Sequence, residues 1–269
     1  YLDGSIPTGF QRTMIVGLDG WFPVGDRKIR VRQVSLEEDA CREVSDEGHI
    51  RTYYTDRLCI PLIEVVTDPD FRTPQEAAEG AEVIRRCTRV TGKVRRGAGA
   101  TRQDTNVSVK GGDRVEIKGV SSIHVVPHLV HWEGIRQRAL IEIAAILKNR
   151  GLTVEDFGDD WREVTDLMRM SRFKPVRQAV ADGHAVYAVR LPRFRGILEH
   201  SLGNGRTFVD ELRDRVRVVA CLDSEPNLLF SEDTSPAIAP RIWQRVNSLV
   251  EADRNDAVLL VWGPPRDTV

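Results

Sequence analysis

The residue best placed to do chemistry is Glu64, a lone carboxylate inside the apolar run Ile60-Pro-Leu-Ile-Glu-Val-Val66. The run is short and rich in β-branched residues, which predicts a mostly buried strand. A buried carboxylate without a partner is strongly unfavourable, so a metal ion, a cation or a strong donor is expected beside it. A divalent metal and a neighbouring arginine are both open at this point. Alternation along a strand puts Leu62 and Val66 on the same face as Glu64.

A second acidic feature is Ser35-Leu-Glu-Glu-Asp-Ala40, with three adjacent carboxylates. Hard cations such as Mg²⁺ take oxygen ligands and commonly keep water and phosphate oxygens beside one or two carboxylates. The same residues also fit a helix capping box from Ser35 to Glu38, and acidic runs are often simply solvated. His124, His128 and His131 fall at helical spacing. Pro127 puts His124 ahead of any helix and no third ligand pattern follows, so zinc is not expected. There is no P-loop, kinase motif set or G-x-S-x-G, so nucleotide chemistry would need a less common fold.

These residues need elements to position them. The chain has 269 residues, with 41% hydrophobic and 29% charged, which suits an ordinary globular protein of two domains. No run is apolar enough to span a bilayer, so no membrane partner is expected. Cys41, Cys59, Cys87 and Cys221 are scattered, which reads as reduced thiols and a cytoplasmic location. The net charge of −1 hides a basic stretch in which Arg85, Arg86, Arg89, Lys93, Arg95, Arg96 and Arg102 have no acid among them. It can follow a phosphate backbone, or be a solvated helix face running into a loop. Tyr1 in place of a start methionine suggests a piece of a longer protein.

Thr73, Pro74 and Glu76 form a helix start, and Gly92 a helix stop. The segments 104–109 and 114–119 form an expected hairpin. Its face-segregating register sets Val107 opposite Ile117 and Asn106 opposite Lys118. Asp104, Asn106, Ser108, Glu116 and Lys118 then share one polar face. A long helix is expected over 127–150, with Leu129, Ile135, Leu140, Ile143, Ala144 and Leu147 buried. Helical pieces follow at 160–170 and 175–181, then a strand at 185–191, helices from Thr207 and over 240–250, and a strand at 257–262. The expectation is an α+β chain, with one domain over 1–182 and a smaller α+β domain over 183–269.

Taken in order, several blocks resemble the B/E subunit family of tRNA-dependent amidotransferases, and within it the archaeal E branch. They are Ile6-Pro-Thr-Gly-Phe-Gln-Arg-Thr-Met-Ile-Val-Gly17, Arg32-Gln-Val-Ser-Leu-Glu-Glu-Asp-Ala40, Ser45-Asp-Glu-Gly48 and Thr55-Asp-Arg-Leu58. Pro61-Leu-Ile-Glu-Val-Val-Thr67, Thr91-Gly-Lys93, Arg102-Gln-Asp104, Asn106-Val-Ser108, Val115-Glu-Ile-Lys-Gly119 and Arg136-Gln137 continue the series. The second half is similar, more loosely, to an insertion domain shared with bacterial aspartyl-tRNA synthetases. The similar pieces are Leu191-Pro-Arg-Phe-Arg-Gly-Ile-Leu198, the segment 208–220 and Leu228-Leu-Phe-Ser-Glu-Asp233.

The resemblance implies a cradle-shaped, kinase-like catalytic domain followed by that insertion domain. It implies Mg²⁺ as cofactor, ATP as substrate, Glu-tRNA(Gln) as acceptor and an asparaginase-like partner of the D type supplying ammonia. ATP would phosphorylate the tRNA-borne glutamate, and ammonia would displace phosphate to give Gln-tRNA(Gln). By position, Glu38 and Glu64 match the catalytic, Mg²⁺-binding carboxylates. Arg57, Arg102 and the polar hairpin face (Asp104, Asn106, Ser108, Glu116, Lys118) would line the substrate pocket. Arg95 and Arg96 would lie near tRNA. Three departures stand out: the family's upstream Glu-x-His metal segment is absent, as are its C-terminal tRNA-gripping domains. Cys59-Ile60 replaces a usual glycine and small residue. A noncatalytic tRNA-binding or assembly module is the rival reading, and little activity is expected of this chain alone.

Overall fold

A computed structural model describes residues 12–47, 50–97, 100–158, 161–220, 222, 226–232 and 238–264. Residues 6–11, Gly48, Ala98, Gly99, Asp160, Cys221 and Asp233, all within segments discussed above, lie outside the described residues. The chain divides into two compact units, Tyr1–Gly134 and Ile135–Val269.

The first unit opens with the long strands β1 (Thr13–Val24) and β2 (Arg27–Glu38), followed by the hairpin β3 (Arg42–Glu47) and β4 (Ile50–Tyr54). Next come β5 (Pro61–Thr67), helix α1 (Pro74–Val90) and the hairpin β6 (Gln103–Val107) and β7 (Val115–Val120). The largest sheet is antiparallel, in the order β1-β2-β5. Ile29, Val31 and Ser35 are buried along alternate positions of β2, so odd-numbered residues of that strand face the core.

Helix α1 begins as the sequence predicts. Thr73 is its N-cap, accepting a hydrogen bond from the Glu76 amide at 3.1 Å. The reciprocal half of the capping box is redirected. Glu76 instead accepts from the Arg72 amide at 2.8 Å and from the Arg27 guanidinium at 2.6 Å, tying the helix start to β2.

The hairpin departs from its expected register. Val107 stands opposite Val115, and Asn106 opposite Glu116. The slip is two residues, because the strands stop short and leave a longer loop between Val107 and Val115. A slip of two preserves parity, so the faces survive. Val107 and Val120 are buried, while Asp104, Asn106, Ser108, Glu116 and Lys118 are all exposed.

Helix α2 (Val126–Asn149) carries the chain from one unit to the next without a break, and Gly151 at φ 70° follows its end. Ala139 and Ile143 are buried, whereas Ala144, expected in the core, is exposed. The second unit continues with β8 (Trp161–Glu163), α3 (Thr165–Met168), α4 (Lys174–Ala181), β9 (Ala185–Leu191), β10 (Ser201–Gly203), β11 (Arg206–Thr207), α5 (Phe208–Val219), β12 (Asn227–Phe230), α6 (Pro240–Leu249) and β13 (Ala257–Gly263). Its main sheet runs β12-β13-β9-β8, all antiparallel.

Strand β13 is buried on both faces, which explains its unbroken apolar sequence. Val258, Leu260 and Trp262 join Met168, Val176, Val180, Ile242 and Val246 in one core. Ala257 and Leu259 join Ala139, Ile143, Leu198 and Val209 in another on the opposite face. One expectation is corrected here. The helix expected over 160–170 is a short strand followed by a four-residue helix, because β8 pairs with β9 and the Val164 amide donates to Val186 O at 2.8 Å. Helices α3 and α4 supply part of the core of the second unit.

Gly80 is a tight point of the first unit. A β-carbon there would lie 2.4 Å from two ring carbons of Phe71. Gly80→Ala should therefore destabilise the protein by about 1–2 kcal/mol, as overpacking outweighs the gain in helix propensity. Urea unfolding measures this directly. A more stable variant would show that the Phe71 ring moves freely.

Candidate functional site

The β2–β5 register determines which carboxylates can meet. Ser35 stands opposite Glu64, Glu37 opposite Leu62 and Glu38 opposite Pro61. Cross-strand partners share a face, as do alternate residues along one strand. Glu37 and Glu64 therefore lie on the same face, and Glu38 lies on the other. Ser35 is fully buried, its hydroxyl accepting from Gln33 Nε2 at 2.9 Å. Thr13 Oγ1 lies 3.5 Å from Glu37 Oε1, while Arg12 Nε lies 3.4 Å from Glu38 Oε2. The capping-box alternative for Ser35 and Glu38 fails because both sit in an extended strand.

Glu64 is exposed, against the expectation of a mostly buried strand, because β5 is an edge strand of its sheet. Its carboxyl nevertheless titrates above its ordinary value. Partial desolvation is the largest cause, followed by a hydrogen bond with Glu37 and by the negative charges of Glu37, Asp104 and Glu116. Every cause acts in the same direction, and none of them is a cation.

The arginine partners fall on other carboxylates of the same stretch. Asp70 accepts from Arg30 Nη2 at 2.7 Å, Arg30 Nε at 3.0 Å and the Arg30 amide at 2.9 Å, which lowers its pKa to about 2. Asp68 pairs with Arg32 at 2.9 Å and with Arg30 at 3.4 Å. The exit of β5 is thus tied to β2 by ion pairs, while Glu64 faces three other acids.

The polar hairpin face contributes two of those acids. Asp104 Oδ1 accepts from the Gly119 amide at 2.8 Å, and Lys118 Nζ lies 3.4 Å from Glu116 Oε2. The cluster of Glu37, Glu64, Asp104 and Glu116 is thus assembled from two strand pairs, β2–β5 and β6–β7, within one unit. Glu37 belongs to the acidic triplet noted above, but the resemblance singled out its neighbour Glu38. The alternation of Ile29, Val31 and Ser35 was the available signal, since it carries Glu37 onto the same face.

The remaining candidates sit elsewhere in the unit. Arg57 lies half-buried in the turn before β5, with Nε 3.9 Å from Asp39 Oδ2. Arg102 is exposed just ahead of β6, and Arg95 and Arg96 are exposed in the loop after α1. Among the described residues, none of these four arginines has a hydrogen bond or ion pair to Glu64.

No three His, Cys, Asp or Glu side chains among the described residues converge tightly enough to hold a metal ion. His128 is engaged otherwise, accepting from Trp132 Nε1 at 3.2 Å. Mg²⁺ does not require a closed protein cage, since water and phosphate oxygens commonly complete its octahedron. The acid cluster offers hard oxygen donors whose charges repel one another, which fits that ion in donor type and sign.

Residues 1–212 match the family described as the GatB/GatE catalytic domain. The chain belongs to this family. It is 39% identical to the E subunit of the glutamyl-tRNA(Gln) amidotransferase of Methanopyrus kandleri, covering 99% of this chain and 45% of that protein. It is 38% identical to the E subunit from Saccharolobus solfataricus, over 97% of this chain and 41% of that protein. With the E subunit from Aeropyrum pernix it shares 41% identity, over 80% of this chain and 34% of that protein. The chain spans less than half the length of these relatives.

Position 59 has a backbone conformation suited to glycine. Cys59 adopts φ 62°, in the left-handed region, in the turn that delivers β5. A side chain there costs about 1–2 kcal/mol, whereas glycine adopts the conformation freely. Cys59→Gly should raise stability by about 0.5–1 kcal/mol after the greater entropy of the unfolded glycine chain is deducted. Guanidinium unfolding would check this, and a loss of stability would contradict the strain.

Glu64 yields a second prediction. In the unfolded chain it ionises at its ordinary 4.5, and in the folded chain it keeps its proton to higher pH. The folded state binds more protons in that window, so stability falls as pH rises through it and stays reduced above it. Glu64→Gln, which cannot ionise, should be more stable than the parent near neutral pH. The difference should close below about pH 4, where both side chains are neutral. Urea midpoints measured across that range test the sign.

Proposed function

We propose that this chain is the catalytic portion of the E subunit of a glutamyl-tRNA(Gln) amidotransferase. The observation that carries the reading is the crowding of carboxylates around Glu64, inside a segment that matches the family. In this reaction the γ-carboxylate of glutamate on misacylated Glu-tRNA(Gln) is phosphorylated by ATP. Ammonia then attacks the acyl phosphate, a C–N bond forms, phosphate leaves and Gln-tRNA(Gln) results. The ammonia comes from an asparaginase-like D-type partner in a heteromeric, cytoplasmic enzyme. No helix among the described residues is long and apolar enough to cross a membrane.

The roles follow from the surface described above. Glu64 and Glu37 would hold Mg²⁺ by carboxylate oxygens on one face of the sheet. When bound, that ion neutralises phosphate charge and polarises the phosphoryl group. Asp104 and Glu116 keep the local potential negative, so the site prefers a cation before it admits a polyphosphate. Asn106 and Ser108 offer uncharged hydrogen-bonding groups on the same hairpin, and Lys118 offsets part of the Glu116 charge. Arg57 and Arg102 are the cations suited to the phosphates of ATP. The resemblance pairs Glu38 with Glu64, whereas the β2 register favours Glu37 as its partner.

The test uses the full-length gene product with its D-type partner, ATP, Mg²⁺ and Glu-tRNA(Gln), reading Gln-tRNA formation. Glu64→Gln should lower the rate roughly a hundredfold or more, the loss of about 3 kcal/mol of electrostatic stabilisation. Glu37→Gln should follow it, and Glu38→Gln should fall less. Mg²⁺ should raise the melting temperature of the parent more than that of Glu64→Gln, because binding to the folded state alone adds stability. A Glu64→Gln enzyme with unchanged rate would remove the assignment. A Glu38→Gln enzyme that loses more than Glu37→Gln would return the metal to the other face.

A further inference from the structure

Strand β1 is the other edge of the sheet that carries Glu37 and Glu64. Edge strands commonly hold charges that discourage pairing with another chain. The only charged residue in Thr13–Val24 is Asp19, whereas Met14, Ile15, Val16, Leu18 and Trp21 are all more than half exposed.

The register sorts these residues onto two faces. Ile15 stands opposite Ser35 and Ser35 opposite Glu64, so Ile15 belongs to the face of Glu37 and Glu64. Strict alternation would send Leu18 to the other side. A bulge between Ile15 and Gly17 prevents this, because Leu18 then stands opposite Gln33, on the Ser35 side of β2. Met14 and Ile63, the two partners of Leu36, stay on the opposite face. Two aliphatic side chains, Ile15 at 54% and Leu18 at 64% exposure, thus follow one another on the face of the acid cluster.

Thr13 connects the apolar pair to the carboxylates. It lies two residues before Ile15 on the same face, with its hydroxyl 3.5 Å from Glu37 Oε1. Ile15 is itself the diagonal neighbour of Glu37, a separation of about 7–8 Å. A ligand held through a cation at Glu37 and Glu64 can therefore extend along β1 and lay an apolar surface over Ile15 and Leu18. A nucleoside triphosphate has that division, with anionic oxygens at one end and the flat faces of a base at the other.

We propose that Ile15 and Leu18 form the floor on which the base of a nucleoside triphosphate rests while its phosphates face the acid cluster. The assignment rests on the ATP-dependent reading for the phosphate end and adds the residues that hold the other end. Burial of apolar area and dispersion supply the contact. Neither side chain can donate or accept a hydrogen bond, so the pair holds the base without reading its edge.

The experiment compares two ligands on the full-length gene product by titration calorimetry in the presence of Mg²⁺. One is the non-hydrolysable β,γ-imido analogue of ATP, and the other is inorganic tripolyphosphate, which has no base. In the double variant Ile15→Ser, Leu18→Ser the analogue should bind about tenfold or more weakly, while tripolyphosphate should change less than about twofold. The control double variant Met14→Ser, Ile63→Ser removes exposed apolar surface from the opposite face, and both affinities should stay within about twofold of the parent. Equal loss of both ligands in the first variant, an unchanged analogue affinity, equal loss of the analogue in the control, or a parent that binds neither ligand would each overturn the proposal. Glu64→Gln keeps failure of the metal assignment distinct. If it weakens both ligands, the phosphates belong at the acid cluster and the floor is supported with them. If it weakens neither while the Ile15, Leu18 variant still loses only the analogue, Glu64 is removed from metal binding and the floor stands.

Discussion

The antiparallel pairing of β2 with β5 is the constraint on which the site depends. Setting Ser35 opposite Glu64 decides by parity alone that Glu37 shares its face and Glu38 does not. A shift of one residue would exchange the two. The pairing is held at the surface by the ion pairs of Asp68 and Asp70 with Arg30 and Arg32. It is anchored from inside by the buried Ile29, Val31 and Ser35. Charges that stabilise are thus separated from charges that repel, and the repelling ones are concentrated where a cation would relieve them.

That arrangement sets stability against the proposed function in one place. Asp70, with its full set of arginine donors, titrates near 2, while Glu64, among acids, titrates above its ordinary value. Two carboxylates on one short stretch are driven in opposite directions by their neighbours. Groups pushed apart in this way are a recurrent mark of sites that do chemistry, although structural networks can do the same to their members.

Much of this was legible in the sequence where local chemistry is strong. The Thr73 cap, the positive-φ Gly92 after α1, the extent of α2 and the strands at 185–191 and 257–262 follow from caps, glycines and hydrophobic periodicity. The apolar and polar faces of the β6–β7 hairpin were also readable, because side-chain parity survives a slip of two. What local pattern could not supply was pairing. The strand at 161–163 exists because β9 offers it an edge, and Glu64 is exposed because β5 lies at the margin of its sheet. The same gap hides which glutamate accompanies Glu64: two adjacent glutamates differ only in which face the register gives them.

The continuity of α2 bears on how the protein can be divided. A cut after residue 182 looks natural from the sequence, yet it would strip Met168, Val176 and Val180 from a core they share with β9, β13 and α6. It would also remove Ala139 and Ile143 from the opposite face of the same sheet. A sheet deprived of part of its cover on both faces would present apolar surface to water on each side, the condition under which isolated fragments self-associate. The modular unit of this half is therefore the helix together with the sheet it covers, and truncation or grafting that respects modularity has to keep them together.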